Sequence, residues 1–63
     1  MNEYPAIVRF FEYEHLPAKL KAVSRPFQTL AISICETLPD GPERSVALRK
    51  LLESKDAAVR AAL

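Results

Sequence analysis

Hydrophobic and polar positions divide the chain into stretches with different periods. From Leu38 to Leu63, LPDGPERSVALRKLLESKDAAVRAAL, a turn leads into a long helical pattern. Leu48, Leu51, Leu52, Ala58, Val59 and Ala62 fall at helical spacings and predict one apolar face. Pro42 sits in the first turn, where a missing amide costs nothing. Asp40 with Glu43 three residues on fits a capping box, each acid answering an orphan amide. From Phe27 to Thr37 a second stripe, Phe27, Leu30, Ala31, Ile34 and Cys35, has the same period. Ile32 lies off that stripe, which predicts a helix buried on two faces. Leu38 and Pro39 end it, and the short turn from Pro39 to Pro42 makes the two helices antiparallel neighbours.

The segment Pro17 to Val23, PAKLKAV, has the pattern of a short helix with Pro17 in its first turn. Ser24, Arg25 and Pro26 interrupt it, because Pro26 removes an amide and disfavours helical geometry at Arg25. Two readings compete. In one, a single helix over about 17–37 kinks here. In the other, Ser24 is an N-cap and a new helix starts with Pro26 in its first turn; serine then proline is a good start signal and favours this second reading. Residues 1–16, MNEYPAIVRFFEYEHL, have no clean helical stripe and hold Tyr4, Phe10, Phe11 and Tyr13, four of the five aromatics. Ile7, Val8, Phe10 and Phe11 have strand propensity. A lone strand is not stable, so the segment reads as an extended arm laid on a helical surface of its own or a neighbouring subunit. The fold class expected is all-α: an antiparallel two-helix hairpin over 17–63, with a short preceding helix and an extended N-terminal arm over 1–16, assembling into an oligomeric helical bundle.

Length strengthens the case for assembly. A chain of 63 residues buries only about 60% of the surface its unfolded form exposes, and small folds add disulfides, a metal or oligomerisation. Cys35 is the single cysteine and His15 the single histidine, which excludes an internal disulfide and argues against a structural zinc site. Net charge is +1, no footprint for non-specific binding to duplex nucleic acid. No apolar run approaches the ~20 residues of a membrane span. The first residues carry Glu3 and lack the basic start and apolar core of a signal peptide, and one cysteine suits a reducing compartment, so the expected address is cytoplasmic.

Candidate chemistry is that of binding, not of catalysis. Cys35 lies in an apolar stripe and reads as a small buried hydrophobe, not half of a Cys–His pair. The serines lack a nucleophile-elbow context, and a single glycine cannot make a phosphate loop. No enzyme activity and no cofactor or metal are expected. Arg9, Lys19, Lys21 and Arg25 are interleaved with Phe10, Phe11, Tyr13 and His15. Rings stack on bases and cations pair with phosphates, so this is the composition of a nucleotide pocket, and equally of a packed arm with solubilising charges. Arg49 with Glu53 and Asp56 with Arg60 stand four apart on the last helix and read as a solvated face with weak ion pairs. A hairpin with one apolar face must bury it, by self-association or by docking to another protein.

From Phe11 onward the chain resembles the small phage proteins that carry the Acb/Tad hairpin domain, the anti-CBASS cyclic-nucleotide sponges. The likeness rests on Phe11-Glu12-Tyr13-Glu14-His15-Leu16-Pro17, on Leu30-Ala31, and on Leu38-Pro39-Asp40-Gly41-Pro42-Glu43-Arg44-Ser45 with Ala47-Leu48, Lys50-Leu51 and the Ala-rich end from Ala57 to Ala62. It covers about residues 11–63. The resemblance implies helical hairpins that assemble into hexamers and sequester cyclic di- and trinucleotides, the second messengers of bacterial anti-phage defence, without cleaving them. It implies cyclic dinucleotides held between protomers under the N-terminal arm, a separate trinucleotide pocket near a three-fold axis, and cyclic ADP-ribose-type signals for the Tad branch. Carried over by position, Tyr13 matches the arm tyrosine that contacts a base. Lys21, Ser24, Arg25 and Thr29 are nearest the basic and hydroxyl groups that the family sets on phosphate, and Pro26 departs from the pattern there. Arg44 matches the turn's Glu-Arg-Ser. The expectation is a phage sponge for cyclic oligonucleotides, acting in the host bacterial cytosol, that blocks immune signalling, with its own copies as partners. A reading from another class is a small helical protein–protein interaction module with no nucleotide ligand.

Overall fold

The computed structural model describes residues 4–63. The first three residues of the arm assigned to 1–16 lie outside the described residues. The elements are a 3-10 helix at Ala6–Phe11, helix α1 at Ala18–Thr37 and helix α2 at Pro42–Ala62. The two α-helices form the hairpin, and the 3-10 helix packs against both.

Helix α1 is continuous through Pro26, so the break favoured at Ser24 does not occur, and the short helix over 17–23 is the first part of α1. The reason lies in where the apolar positions fall. Leu20, Val23, Phe27, Ile34 and Cys35 are half-buried and Ala31 fully buried, a stripe that runs straight across the proline. One lost amide bond is outweighed by a face that is buried only if the helix continues. Ala22, whose carbonyl Pro26 leaves without its helical partner, is exposed, as is Pro26 itself; water can serve that carbonyl. The helix ends at Leu38, whose backbone is extended (φ −112°, ψ 144°), as a residue before proline prefers.

At the start of α2 the N-cap is Gly41, with no side-chain cap bond, and Pro42 occupies the first turn. The capping box on Asp40 is therefore not made. Asp40 instead accepts a hydrogen bond from the Arg44 guanidinium at 3.2 Å, the charged partner outcompeting an amide for the same carboxylate. Arg44 also donates to the main-chain carbonyls of Cys35 at 3.3 Å and Leu38 at 3.5 Å. It thereby answers a carbonyl of α1's last turn that has no helical partner and clips the two helices at their shared turn.

The core is small: Phe11, Ala31 and Leu48, one from each element, with Ile7, Phe27, Ile34, Cys35, Leu51 and Leu52 packed around them. The arm is not extended over Ala6–Phe11. In the 3-10 helix Phe11 enters the core and Ile7 packs against it, while Phe10 stays exposed. Ile32 and Gln28 line a cleft beneath Tyr4, Pro5 and Val8, which gives α1 its second covered face. Leu30 leaves the expected stripe and is 50% exposed. On α2 the ion pair is Lys50 with Glu53, three apart, at 3.7 Å, in place of the expected Arg49–Glu53 pair, and Asp56 pairs with Lys55 at 3.4 Å.

Two polar tethers fix the arm. Lys55 Nζ donates to the Phe10 carbonyl at 2.7 Å, and Tyr4 Oη donates to Glu36 Oε2 at 2.8 Å. The hydrogen bond to Glu36, with some desolvation and the nearby negative charge, raises the Tyr4 phenol above its ordinary value. A raised acid favours the protonated form in the folded state. The tether therefore stabilises fully below the ordinary phenol value of about 10 and is lost as pH rises through the raised one. An alkaline titration of phenolate absorbance is expected to show the component abolished by Tyr4→Phe appearing late, and Glu36→Gln should bring it back towards the ordinary value. A Tyr4 component that Glu36→Gln leaves in place would count against the tether.

Candidate functional site

Helical geometry puts residues four apart on one line. On α1 that line is Lys21, Arg25, Thr29 and Ser33, running along the outer side of the helix away from the core stripe. Arg25, Thr29 and Ser33 are exposed and Lys21 is half-buried. Arg25, Thr29 and Ser33, with Pro26 and Leu30 beside them, line an open cleft of about 490 Å³. Thr29 Oγ1 donates to the Arg25 carbonyl at 3.2 Å, which fixes its rotamer and leaves its lone pairs facing outward. At the head of the line, the largely exposed Glu14 approaches the half-buried Lys21 at 4.0 Å. The arm's turn after the 3-10 helix, closed by the Leu16 amide on the Tyr13 carbonyl at 3.0 Å, is thereby placed next to the cationic end of the row. Tyr13 lies half-buried in that turn.

Of the six candidate residues, the structure groups Arg25 and Thr29 in one cleft, sets Lys21 one turn before them, and brings the Tyr13 turn to Lys21. Two are placed otherwise. Ser24 is fully buried, and its hydroxyl has no hydrogen-bond partner; it faces the core side of α1, not the row. Arg44 is committed to the turn, its side chain only 13% exposed and its Nε buried without a partner. Three lining residues, Pro26, Leu30 and Ser33, were not legible as site residues: Pro26 read as a helix breaker and Leu30 as core.

The arrangement offers a guanidinium, an ammonium and two hydroxyls beside an apolar shelf. That set has the chemistry to receive an anion on a flat or apolar body. His15 and Cys35 do not meet as a reactive pair, since His15 lines a cleft against α2 while Cys35 packs into the core. Among the described residues no group of His, Cys, Asp and Glu is arranged to hold a metal ion, and no helix is long and apolar enough to cross a membrane.

Ser24 gives a direct check on these placements. A buried hydroxyl without a partner costs desolvation that alanine does not. Ser24→Ala is expected to leave the protein as stable or to gain ~1 kcal/mol, read as an unchanged or higher melting temperature by circular dichroism. A loss of more than ~1 kcal/mol would mean that the hydroxyl has a partner.

Comparison of the chain with family models, with curated proteins and with solved structures finds no match.

Proposed function

We propose that the chain is a binding protein for cyclic oligonucleotides, a phage anti-defence sponge of the Acb/Tad hairpin type. In this reading it sequesters cyclic di- and trinucleotides without cleaving them and so blocks CBASS-type immune signalling in the host cytosol. The observation that carries the reading is the row Lys21–Arg25–Thr29–Ser33 beside the Pro26–Leu30 shelf, with the Tyr13 turn at its head. A cyclic dinucleotide presents two phosphates and two flat bases. Two copies of the row meeting across an oligomer would give each phosphate its own cation and each base an aromatic or apolar surface. One copy supplies an open shelf, half of such a site, which fits a chain that binds its ligand as a homo-oligomer, a hexamer by the resemblance.

The test is thermal unfolding with cyclic di- and trinucleotides. At a hundred times the dissociation constant the ligand adds about 2.7 kcal/mol, which for a domain of this size raises the melting temperature by roughly 10–20 °C. Tyr13→Ala is expected to reduce that rise while light scattering still reports the oligomer. No shift with any cyclic nucleotide, in a folded oligomer, would replace this reading with the helical interaction module. The exposed Leu30 and Phe10 favour that second reading to the extent that they are apolar surface available to another protein.

A further inference from the structure

The cleft with the most ionisable groups lies elsewhere, between the arm and the C-terminal part of α2. It has a volume of about 390 Å³ and is lined by Arg9, Phe10, Glu12, His15 and Leu16 from the arm and by Lys55, Asp56, Val59 and Arg60 from α2. The charges do not have one common explanation. Arg60 is the basic residue of the last turn of α2, where a cation meets the negative end of the helix dipole. Lys55 is spoken for by the Phe10 carbonyl and Asp56. Arg9 and His15 come from the arm, a different element. Among the described residues neither Arg9 nor Arg60 has an ion-pair partner within 4.0 Å, although Glu12 lines the same cleft.

The apolar lining is also incomplete. Phe10 is 64% exposed and its main-chain carbonyl is tied to Lys55, so its ring stands at the cleft without being packed. Leu16 and Val59 complete an apolar wall. We propose that this cleft is a second ligand site, for a small organic anion: a phosphate or carboxylate carried on a flat apolar body. Arg9 and Arg60, from opposite walls, take the anion; the Phe10 ring and the Leu16–Val59 wall take the body. The volume lies in the small-molecule range of about 300–1,000 Å³. Glu12 and Asp56 limit the site to a ligand of low charge and disfavour an extended polyanion. The site does not use the α1 row and does not depend on its function.

The test is a titration of the isotope-labelled full chain followed by NMR, with benzoate and adenosine monophosphate as probes, inorganic phosphate as the anion without a body, and adenosine as the body without an anion. Saturable shifts at Arg9, Phe10, His15 and Arg60 are expected with the two probes, at least about tenfold weaker with phosphate alone, and absent with adenosine. The variant carrying Arg9→Gln and Arg60→Gln is expected to bind both probes at least about tenfold more weakly while its circular dichroism spectrum and its response to cyclic nucleotides are unchanged. Non-saturating shifts, shifts confined to Arg25 and Thr29, or unaltered probe binding by the double variant would overturn the proposal. So would a double variant that loses the cyclic nucleotide in step with the probes, since the two sites would then be one. Failure of the wild-type chain to bind cyclic nucleotides would count against the α1 row alone.

Discussion

Phe11→Ala is expected to unfold much of the protein at room temperature, and Phe10→Ala to change its stability by less than about 0.5 kcal/mol. The two phenylalanines are adjacent in sequence, yet Phe11 is fully buried and Phe10 is mostly exposed. Phe11 is the largest fully buried side chain and the arm's one contribution to the three-residue core. Truncating a buried phenylalanine costs about 3–5 kcal/mol. A domain of 63 residues, at ~0.05–0.15 kcal/mol per residue, holds roughly 3–9 kcal/mol in all. The loss therefore takes a third or more of the total and at the low end all of it. Removing the ring also opens a cavity between α1 and α2 that the neighbouring Ala31 is too small to fill. Urea denaturation of the two variants checks this. Equal midpoints for Phe10→Ala and Phe11→Ala would mean that the arm does not complete the core and that the hairpin stands without it. A tight oligomer would add stability to both variants, so the comparison is made at one protein concentration.

The same pair shows what could and could not be read ahead of the structure. The hairpin was legible because two long apolar stripes and one short proline-bounded turn dictate it. The arm's contact with the helices was legible from its aromatics. Its local geometry was not, because strand propensity describes how Ile7, Val8 and Phe11 fit a half-buried surface, and a 3-10 turn gave them one with no strand to pair with. At Pro26 a local rule met a longer one. The Ser24–Pro26 start signal concerns three residues, whereas the stripe from Leu20 to Cys35 spans four turns, and the longer pattern prevailed. At Asp40 the rule counted acceptors for orphan amides but not the competing guanidinium of Arg44. Leu30 falls on the predicted core stripe because periodicity alone cannot tell the edge of a buried stripe from the start of an exposed shelf. For the same reason the cleft beside Arg25 and Thr29 was legible in its polar residues and not in its apolar ones. Oligomerisation, expected from length and from the unpartnered faces, belongs to the proposed reading.

On the proposed sponge reading, Arg25→Glu is expected to reduce cyclic-nucleotide affinity on the order of a hundredfold or more while leaving the fold intact. Removing one member of a desolvated charge pair costs about 2–5 kcal/mol, and the reversal adds repulsion between the new carboxylate and the phosphate. The substitution is clean with respect to folding. Arg25 is exposed, and Lys21, one turn earlier, is a cation, so a glutamate at 25 meets no like charge there. Its effect on stability should stay within about 0.5 kcal/mol. Arg44→Gln provides the contrast. Arg44 bonds two carbonyls and Asp40 across the turn, so glutamine should cost about 1–3 kcal/mol of stability and weaken binding only as far as it weakens the hairpin. Calorimetric titration at a temperature where both variants are folded separates the two roles. A large loss for Arg25→Glu with near-normal affinity for Arg44→Gln supports a ligand on the outer row of α1. The opposite outcome would move the ligand to the turn and place Arg44, which matches the Glu-Arg-Ser of the resemblance, in contact with it, with the Cys35 and Leu38 carbonyls released when ligand binds.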